Sequence, residues 1–496
     1  MTFDVEQLDQ GMLLASAVLL VAILAVRLSV LVGLPSLLFY LLFGVLLGEA
    51  GVGVNFEDAS LAHALGFAAL VIILTEGGLT TNWQEIRPTV RTGALLATVG
   101  VAVGVGVMAI AAHFLLGFDW QLAVLLAAVT APTDAAAVFA VLRKVPLPRR
   151  LTGALEAESG LNDAPTVLLV TLASQGEALA HGVLGFVGIV VYELGAGVAV
   201  GVAVGVGGAA LMRRAALPAS GLYPLAVLSL CVLSYGGATA IHASGFAAVY
   251  TAALILGNSE LPHRNATRSF AEGLGWLAQI GLFVMLGLLA SPGEIAPELI
   301  GQALVAGLVL TLVARPLSVV ASALWDRLSV PDMAFLTWAG LRGAVPIVLA
   351  TIPLSEEVPG ARELFHIVFV LVIIDTIVTA PTLPLAARLL RVTVRDDVRE
   401  LEIEAAPLER IAADLLQIRI TKRSRMHGVE VGELRLPPGA LVAIVVREGQ
   451  TLVPHDRTVL RRGDDLLVVT PRKLKERTED RLRAVAHRGR LADWIE

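Results

Sequence analysis

Thirteen apolar stretches recur between residues 9 and 391, many of them long enough to cross a bilayer as a helix. A hydrocarbon core takes about 20 mostly apolar residues per helix, and each backbone polar group inside it must be paired within the segment. That pattern restricts the chain to a polytopic helical membrane protein. The stretches lie near 9–29, 33–50, 61–80, 89–116, 120–142, 151–174, 183–211, 221–242, 245–257, 269–290, 297–325, 332–353 and 362–391. Pro35 interrupts the start of the second, and the ninth is short enough to tilt into the eighth. Charged residues make up 16% of the chain, where a soluble protein carries about 25%. They are unevenly placed: residues 1–395 hold 43 charges, and the last 101 positions hold 37. The reading is therefore residues 1–395 in the membrane, 396–414 as a linker and 415–496 as a soluble domain. The lone Cys231 excludes an internal disulfide and a multi-cysteine metal site. A net charge of −6 points to no nucleic-acid partner.

Basic residues at the ends of the stretches alternate between two sides. One side receives Arg27, Arg87, Arg91, Arg143, Lys144, Arg149, Arg150, Arg213, Arg214, Arg264, Arg268, Arg327, Arg388, Arg391 and Arg395, and the other receives only Arg362. By the positive-inside rule the rich side is cytoplasmic, so the polar tail is inside. The acidic segment Met1–Asp9 precedes the first apolar run in place of a basic signal region, so that run reads as a true span with the N-terminus outside.

Ionisable groups within a bilayer are costly and mark pathways. Two segments concentrate them. The fifth stretch contains Thr130-Ala131-Pro132-Thr133-Asp134-Ala135. Pro132 removes a backbone donor and predicts a helix break at mid-membrane. The sixth contains Glu156-Ala157-Glu158-Ser159-Gly160-Leu161-Asn162-Asp163. Ser159 and Asp163 are four apart and share a helix face, as do Glu158 and Asn162. A carboxylate with a hydroxyl one turn away is an oxygen site for Na⁺, K⁺ or Li⁺. It binds a proton in place of the cation, which is the minimum device for exchange. The twelfth stretch, Trp338-Ala339-Gly340-Leu341-Arg342-Gly343-Ala344-Val345-Pro346, mirrors the fifth, with Pro346 expected at its break. Corresponding breaks in two halves predict inverted repeats around a central site, with Asp375 in the region that corresponds to Asp163. Arg315 and Arg342 are the basic residues inside the stretches, and Arg342 is expected to pair with Glu158. Glu76 and Asp375 are further charges within the stretches and stand as secondary candidates.

The segments Thr133-Asp134, Glu158-Ser159-Gly160-Leu161-Asn162-Asp163 and Gly340-Leu341-Arg342-Gly343-Ala344-Val345-Pro346 together resemble monovalent cation:proton antiporter family 1, the NhaP-type sodium/proton exchangers. The resemblance covers about residues 10–392. It implies an all-α membrane fold of about thirteen helices, with a dimerisation part and a core where discontinuous helices cross. It implies a transported cation at Asp163, Ser159 and Thr133, with Asn162 and Asp134 in support, a homodimer in lipid, and no cofactor. Glu158 with Arg342 resembles the family's structural ion pair, and Arg315 matches a core arginine. Ala135 replaces the family's common proline after Thr-Asp, and Asn162-Asp163 is followed by Ala164-Pro165 in place of a direct proline. Thr-Asp-Ala-Ala-Ala-Val and Thr337-Trp338-Ala339-Gly340-Leu341-Arg342 resemble the CvrA-type potassium/proton branch, whereas Leu74-Thr75-Glu76-Gly77-Gly78-Leu79 is similar to the wider family. K⁺ and Na⁺ both stay open. Relatives with Asp-Asp at this position resemble electrogenic exchangers, so Asn162 implies electroneutral exchange.

Beyond Leu415 short alternating runs, Leu415–Ile420, Leu441–Arg447, Gln450–Val453 and Asp465–Val469, predict strands, and residues 471–496 a charged helix. This small α+β unit resembles the TrkA C-terminal (RCK-C) domain, with Gly463-Asp464 as its turn. The resemblance implies a regulatory dimer sensing a small ligand such as a nucleotide. A gated cation channel under the same tail is the alternative. A filter of repeated carbonyl motifs is missing, and titratable carboxylates at a broken crossing favour exchange.

Overall fold

The computed structural model describes residues 5–489 except 33, 49–50, 55, 57, 143–144, 177–181, 291, 327, 394–400, 409–412 and 422–423. Arg143, Lys144, Arg327 and Arg395 of the charge bias lie outside the described residues, as does part of Met1–Asp9. The chain divides into two compact units, Met1–Thr393 and Val394–Glu496.

The first unit is helical, and helix falls on every apolar stretch marked by the sequence. It opens with α1 (Val5–Val32), α2 (Ser36–Leu47) and α3 (Ala59–Thr80). Next come α4 (Trp83–Ile86), α5 (Val90–Leu95) and α6 (Val101–Leu116), a continuous run that includes a π-helical turn at Leu96–Gly100. α7 (Trp120–Val129) and α8 (Ala135–Leu142) are two halves of one interrupted segment. α9 (Arg149–Ser174), α10 (Gly182–Arg214), α11 (Leu222–Thr239), α12 (Gly245–Asn258) and α13 (Arg264–Leu289) follow. α14 (Pro297–Val309) joins α15 (Arg315–Ala323) through a second π-helical turn at Leu310–Ala314. A second interrupted segment is built from α16 (Val330–Trp338), α17 (Val345–Leu349) and α18 (Thr351–Ser355), and α19 (Ala361–Leu389) closes the unit.

Among the described residues, eight segments are long and apolar enough to cross a membrane, and four apolar helices are shorter. α9 has the length, at 26 residues, but carries Glu156, Glu158 and Asp163. Large apolar side chains such as Leu13, Leu24, Val191 and Val206 point outward, which suits a lipid solvent and would be a liability in water. α11 and α12 are separate helices. The stripe Gly197, Gly201 and Gly205 of α10 lies against Ser244, Ala248, Thr251 and Ile255. Small residues let those two backbones approach, as expected where packing drives helix association.

The irregularities repeat in the two halves. π-helical turns interrupt Trp83–Leu116 and Pro297–Ala323. Unwound segments follow at 130–134 and 339–344. Helices with internal proline come next: Pro165 in α9, and Pro381 and Pro384 in α19. This order matches the repeat inferred from sequence. Pro346 has a different place from the one expected. It lies in the first turn of α17, where a missing N–H costs nothing, and the break precedes it.

The second unit is a five-stranded antiparallel sheet of order β1-β2-β5-β3-β4. Its strands are β1 (Leu401–Leu408), β2 (Ala413–Ile420), β3 (Leu441–Arg447), β4 (Gln450–Leu452) and β5 (Asp465–Pro471), with α20 (Lys475–Arg488) after them. β1 falls in 396–414, the segment expected to be a linker. Its alternation Leu401-Glu402-Ile403-Glu404 is the period-2 signal of a strand. Along β2, Leu416, Ile418 and Ile420 are buried while Gln417 and Arg419 are exposed, so one face packs under α20 residues Leu482 and Val485. Gly463 takes φ +86° at the turn into β5, a conformation that glycine adopts without a Cβ penalty. Beside it Arg447 grips buried Asp464 with two hydrogen bonds, of 2.9 and 2.8 Å. Those bonds hold the guanidinium pKa above its ordinary value. Asp464→Ala is expected to cost about 2 kcal/mol, since it removes a charged hydrogen-bond acceptor. Faster limited proteolysis of the tail in the full-length protein is the readout.

Candidate functional site

The two unwound segments meet. The N–H of Asp134 donates to the carbonyl of Leu341 at 2.8 Å, joining the break between α7 and α8 to the break before α17. Each break leaves helix ends whose carbonyls or N–H groups have lost intrahelical partners. Two side chains satisfy them. Asp134 caps α8, its Oδ1 accepting from the Ala137 N–H at 3.1 Å. Arg342 donates through Nε to the Thr130 carbonyl at the end of α7, at 3.3 Å, and through Nη1 to the Gly340 carbonyl beyond α16. The anion thus stands at a helix N-terminus and the cation at two C-termini, the arrangement favoured by the helix dipoles.

α9 passes beside this crossing. Asn162 Nδ2 donates to Thr133 Oγ1 at 3.0 Å, and the Ala135 N–H points at Ser159 Oγ at 3.4 Å. Thr166 Oγ1 donates to the carbonyls of Asn162 and Asp163, fixing the helix around Pro165. Asp163 and Asn162 are buried, and Asp163 Oδ1 and Asn162 Oδ1 make no hydrogen bond among the described residues. Thr133, Asp134, Ser159, Asn162 and Asp163, named from sequence, are therefore one cluster. Its free donors to a ligand are oxygens alone. That suits a hard monovalent cation, and the carboxylate can hold a proton in the same place. No group of three or more His, Cys, Asp or Glu side chains able to hold a metal ion occurs among the described residues.

The expected ion pair is corrected. Glu158 pairs with Arg315, not with Arg342, through Oε1 to Nη1 and through Oε2 to Nη2 at 2.9 Å. Arg315 also donates to the Leu336 carbonyl at 3.1 Å. Arg315 directly follows the π-helical turn Leu310–Ala314. Arg342 is occupied by the two carbonyls, and its acidic neighbours are Asp375 first and Glu158 after it. Asp375 accepts from Thr379 at 3.2 Å and Thr311 at 3.4 Å. Glu76 lies elsewhere, against Gly275 of α13 and beside Thr80. No hydrogen bond among the described residues links Glu76 or Asp375 to the Asp163 cluster. Sequence reasoning missed the carbonyls of Thr130 and Leu341, because backbone groups carry no residue signature.

Arg342→Ala should lower stability by about 3 kcal/mol or more, since it leaves buried carbonyls unpaired. The detergent-solubilised protein should melt earlier while any surviving exchange keeps its cation preference. A changed preference at unchanged melting temperature would place Arg342 in the ion site instead.

The family model for the transmembrane sodium/hydrogen exchanger matches residues 15–388. The chain belongs to the sodium/hydrogen exchanger family. It is a multi-pass membrane protein and a cation/proton antiporter, a secondary transporter and not an enzyme. A TrkA-C domain model matches residues 415–483, the sheet and most of α20. The K(+)/H(+) antiporter NhaP of Alkalimonas amylolytica is 33% identical over 472 residues, covering 94% of this chain and 82% of the relative. The K(+)/H(+) antiporter NhaP2 of Shewanella sp. (strain MR-4) is 34% identical, covering 95% and 83%. Among solved structures, the sodium proton antiporter MjNhaP1 from Methanocaldococcus jannaschii superposes with a TM-score of 0.65 at 20% identity. It covers 77% of this chain and 99% of the other, and bears on the fold alone.

Proposed function

We propose that this exchanger moves K⁺, and Na⁺ less well, against H⁺ one for one at Asp163 by alternating access. The observation that carries the site is the buried Asp163 carboxylate, beside Thr133, Ser159 and Asn162 at the crossing of two broken helices, with one oxygen free. A cation and a proton compete for that carboxylate, so each excludes the other. Asn162 is neutral, which leaves Asp163 alone to change charge and makes the cycle electroneutral. The potassium reading rests on relatives named as K⁺/H⁺ antiporters and on the TrkA-C tail.

The same reading places the protein in the cell (inner) membrane as a homodimer in lipid, with the N-terminus outside and the tail cytoplasmic. The arginine bias supports that orientation. The tail is then a regulatory domain for a small ligand, a nucleotide being the class implied by its resemblance. The protein would serve ion, pH and volume homeostasis.

In everted vesicles with an imposed proton gradient, adding K⁺ should dissipate the gradient faster than adding Na⁺. In proteoliposomes the rate should not respond to an imposed membrane potential. Net transport driven by potential alone would refute electroneutral exchange, and a Na⁺ response above that of K⁺ would reverse the proposed preference.

A further inference from the structure

One face of α9 runs from Glu156 through Gly160, Asp163 and Val167 to Thr171 and Gln175, at spacings of three and four. The two directions along this face from Asp163 differ. Toward the C-terminal end, Ala164, Val167, Thr171 and Gln175 line a cavity of about 360 Å³, with Glu193 of α10 and Thr239 of α11 opposite. Toward Arg149 and Arg150, Tyr250 of α12 covers the face. A Cβ built on Gly160 would fall on the Tyr250 hydroxyl and ring, with Cε2 at 2.9 Å. Tyr250 is buried, 7% exposed, and within reach of Thr81 on the far side. Only glycine at 160 lets the ring lie this close to the helix. Tyr250 thus stands between Asp163 and Glu156, one turn nearer the arginine-rich side.

We propose that Tyr250 is the seal closing the route between Asp163 and the arginine-rich side of the membrane, and that it must leave Gly160 before Asp163 exchanges its ligand with that side. The cavity at the other end of the face reaches Ala164 and Val167, next to Asp163 along the helix, and marks the opposite approach. Neither residue contributes to the oxygen cluster. Tyr250 acts on the reaction by positioning, through control of access. The inference rests on Asp163 being the ion carboxylate and on the proposed orientation. The test reads access directly, so it does not depend on transport at Asp163, and the orientation assigns the arginine-rich face to everted vesicles.

The test uses Asp163→Cys in a Cys231→Ser background and a membrane-impermeant methanethiosulfonate, applied to everted and to right-side-out vesicles. With Tyr250 present, modification should be slow from the arginine-rich face and faster from the opposite face. Tyr250→Ala should raise the slow rate about tenfold, a modest shift between closed and open states, and leave the other rate unchanged. Gly160→Ala, which pushes the ring away with Tyr250 intact, should raise the same rate and keeps the test alive where Tyr250→Ala does not fold. No change at the arginine-rich face in either variant overturns the proposal. An equal rise from both faces also overturns it, because general loosening is not a seal. A rise confined to the opposite face overturns it too, because Tyr250 would then not close the arginine-rich route. Retained exchange by Asp163→Asn would count against the ion carboxylate and leave the access result standing.

Discussion

Asp163→Asn protein, reconstituted at wild-type yield, should show no cation-dependent proton movement above that of empty vesicles. The change is one atom in size, and asparagine fits the same helical position between Asn162 and Ala164. It removes the negative charge that attracts the cation and the site that takes the proton. Both half-reactions therefore stop, at every pH and at every cation concentration. A rate that recovers at high cation concentration would mean that Asp163 only adds affinity and that another group carries the proton. Asp134 is the obvious second carboxylate, but its Oδ1 is engaged at the N-terminus of α8. Asp134→Asn should accordingly weaken folding and exchange together, since it removes the negative charge beside the dipole's positive end.

Glu158→Ala and Arg315→Ala should each destabilise the protein by about 3–5 kcal/mol, the cost of stranding one partner of a buried pair. The pair is 2% and 5% exposed at its side chains, so solvent cannot replace the missing charge. The double variant Glu158→Leu with Arg315→Met should recover much of the loss, because an uncharged core carries no stranded ion. A double-mutant cycle separates this pairing from the one expected by sequence: Glu158 should couple to Arg315 by 0.5 kcal/mol or more, on the order of directly contacting pairs, and to Arg342 by less. Strong coupling to Arg342 and none to Arg315 would reverse the assignment. Melting temperature in detergent and yield of folded protein are the readouts.

Much of the architecture was legible because the membrane constrains it so strongly. Apolar length set the helices, and the first break followed from Pro132, whereas the second, expected at Pro346, lies ahead of it at 339–344. The cluster around Asp163 was legible for a related reason. Ser159, Asn162 and Asp163 share one helix, so their relative placement follows from 3.6 residues per turn. Thr133 joined them through the family resemblance of Thr133-Asp134. The tail was partly legible: alternation marked β2, β3, β4 and β5, whereas β1 was hidden in a segment that its charges made look like a linker.

The pairing of charges across helices was not legible. Glu158, Arg315 and Arg342 are all buried and mutually within reach of plausible pairings, and opposite charge alone does not choose between two arginines. The two-pronged contact of Arg315 with Glu158 and the carbonyls that occupy Arg342 show the choice. Tyr250 was equally hidden, since nothing in Gly245–Asn258 distinguishes it from a core aromatic. The sequence by itself determined the solvent, the helices, the breaks and the chemistry of one helix face, because those depend on composition and local period. Only the tertiary structure decided which arginine neutralises Glu158 and which side of Asp163 is closed, because both depend on the rotation and depth of helices packed from distant parts of the chain.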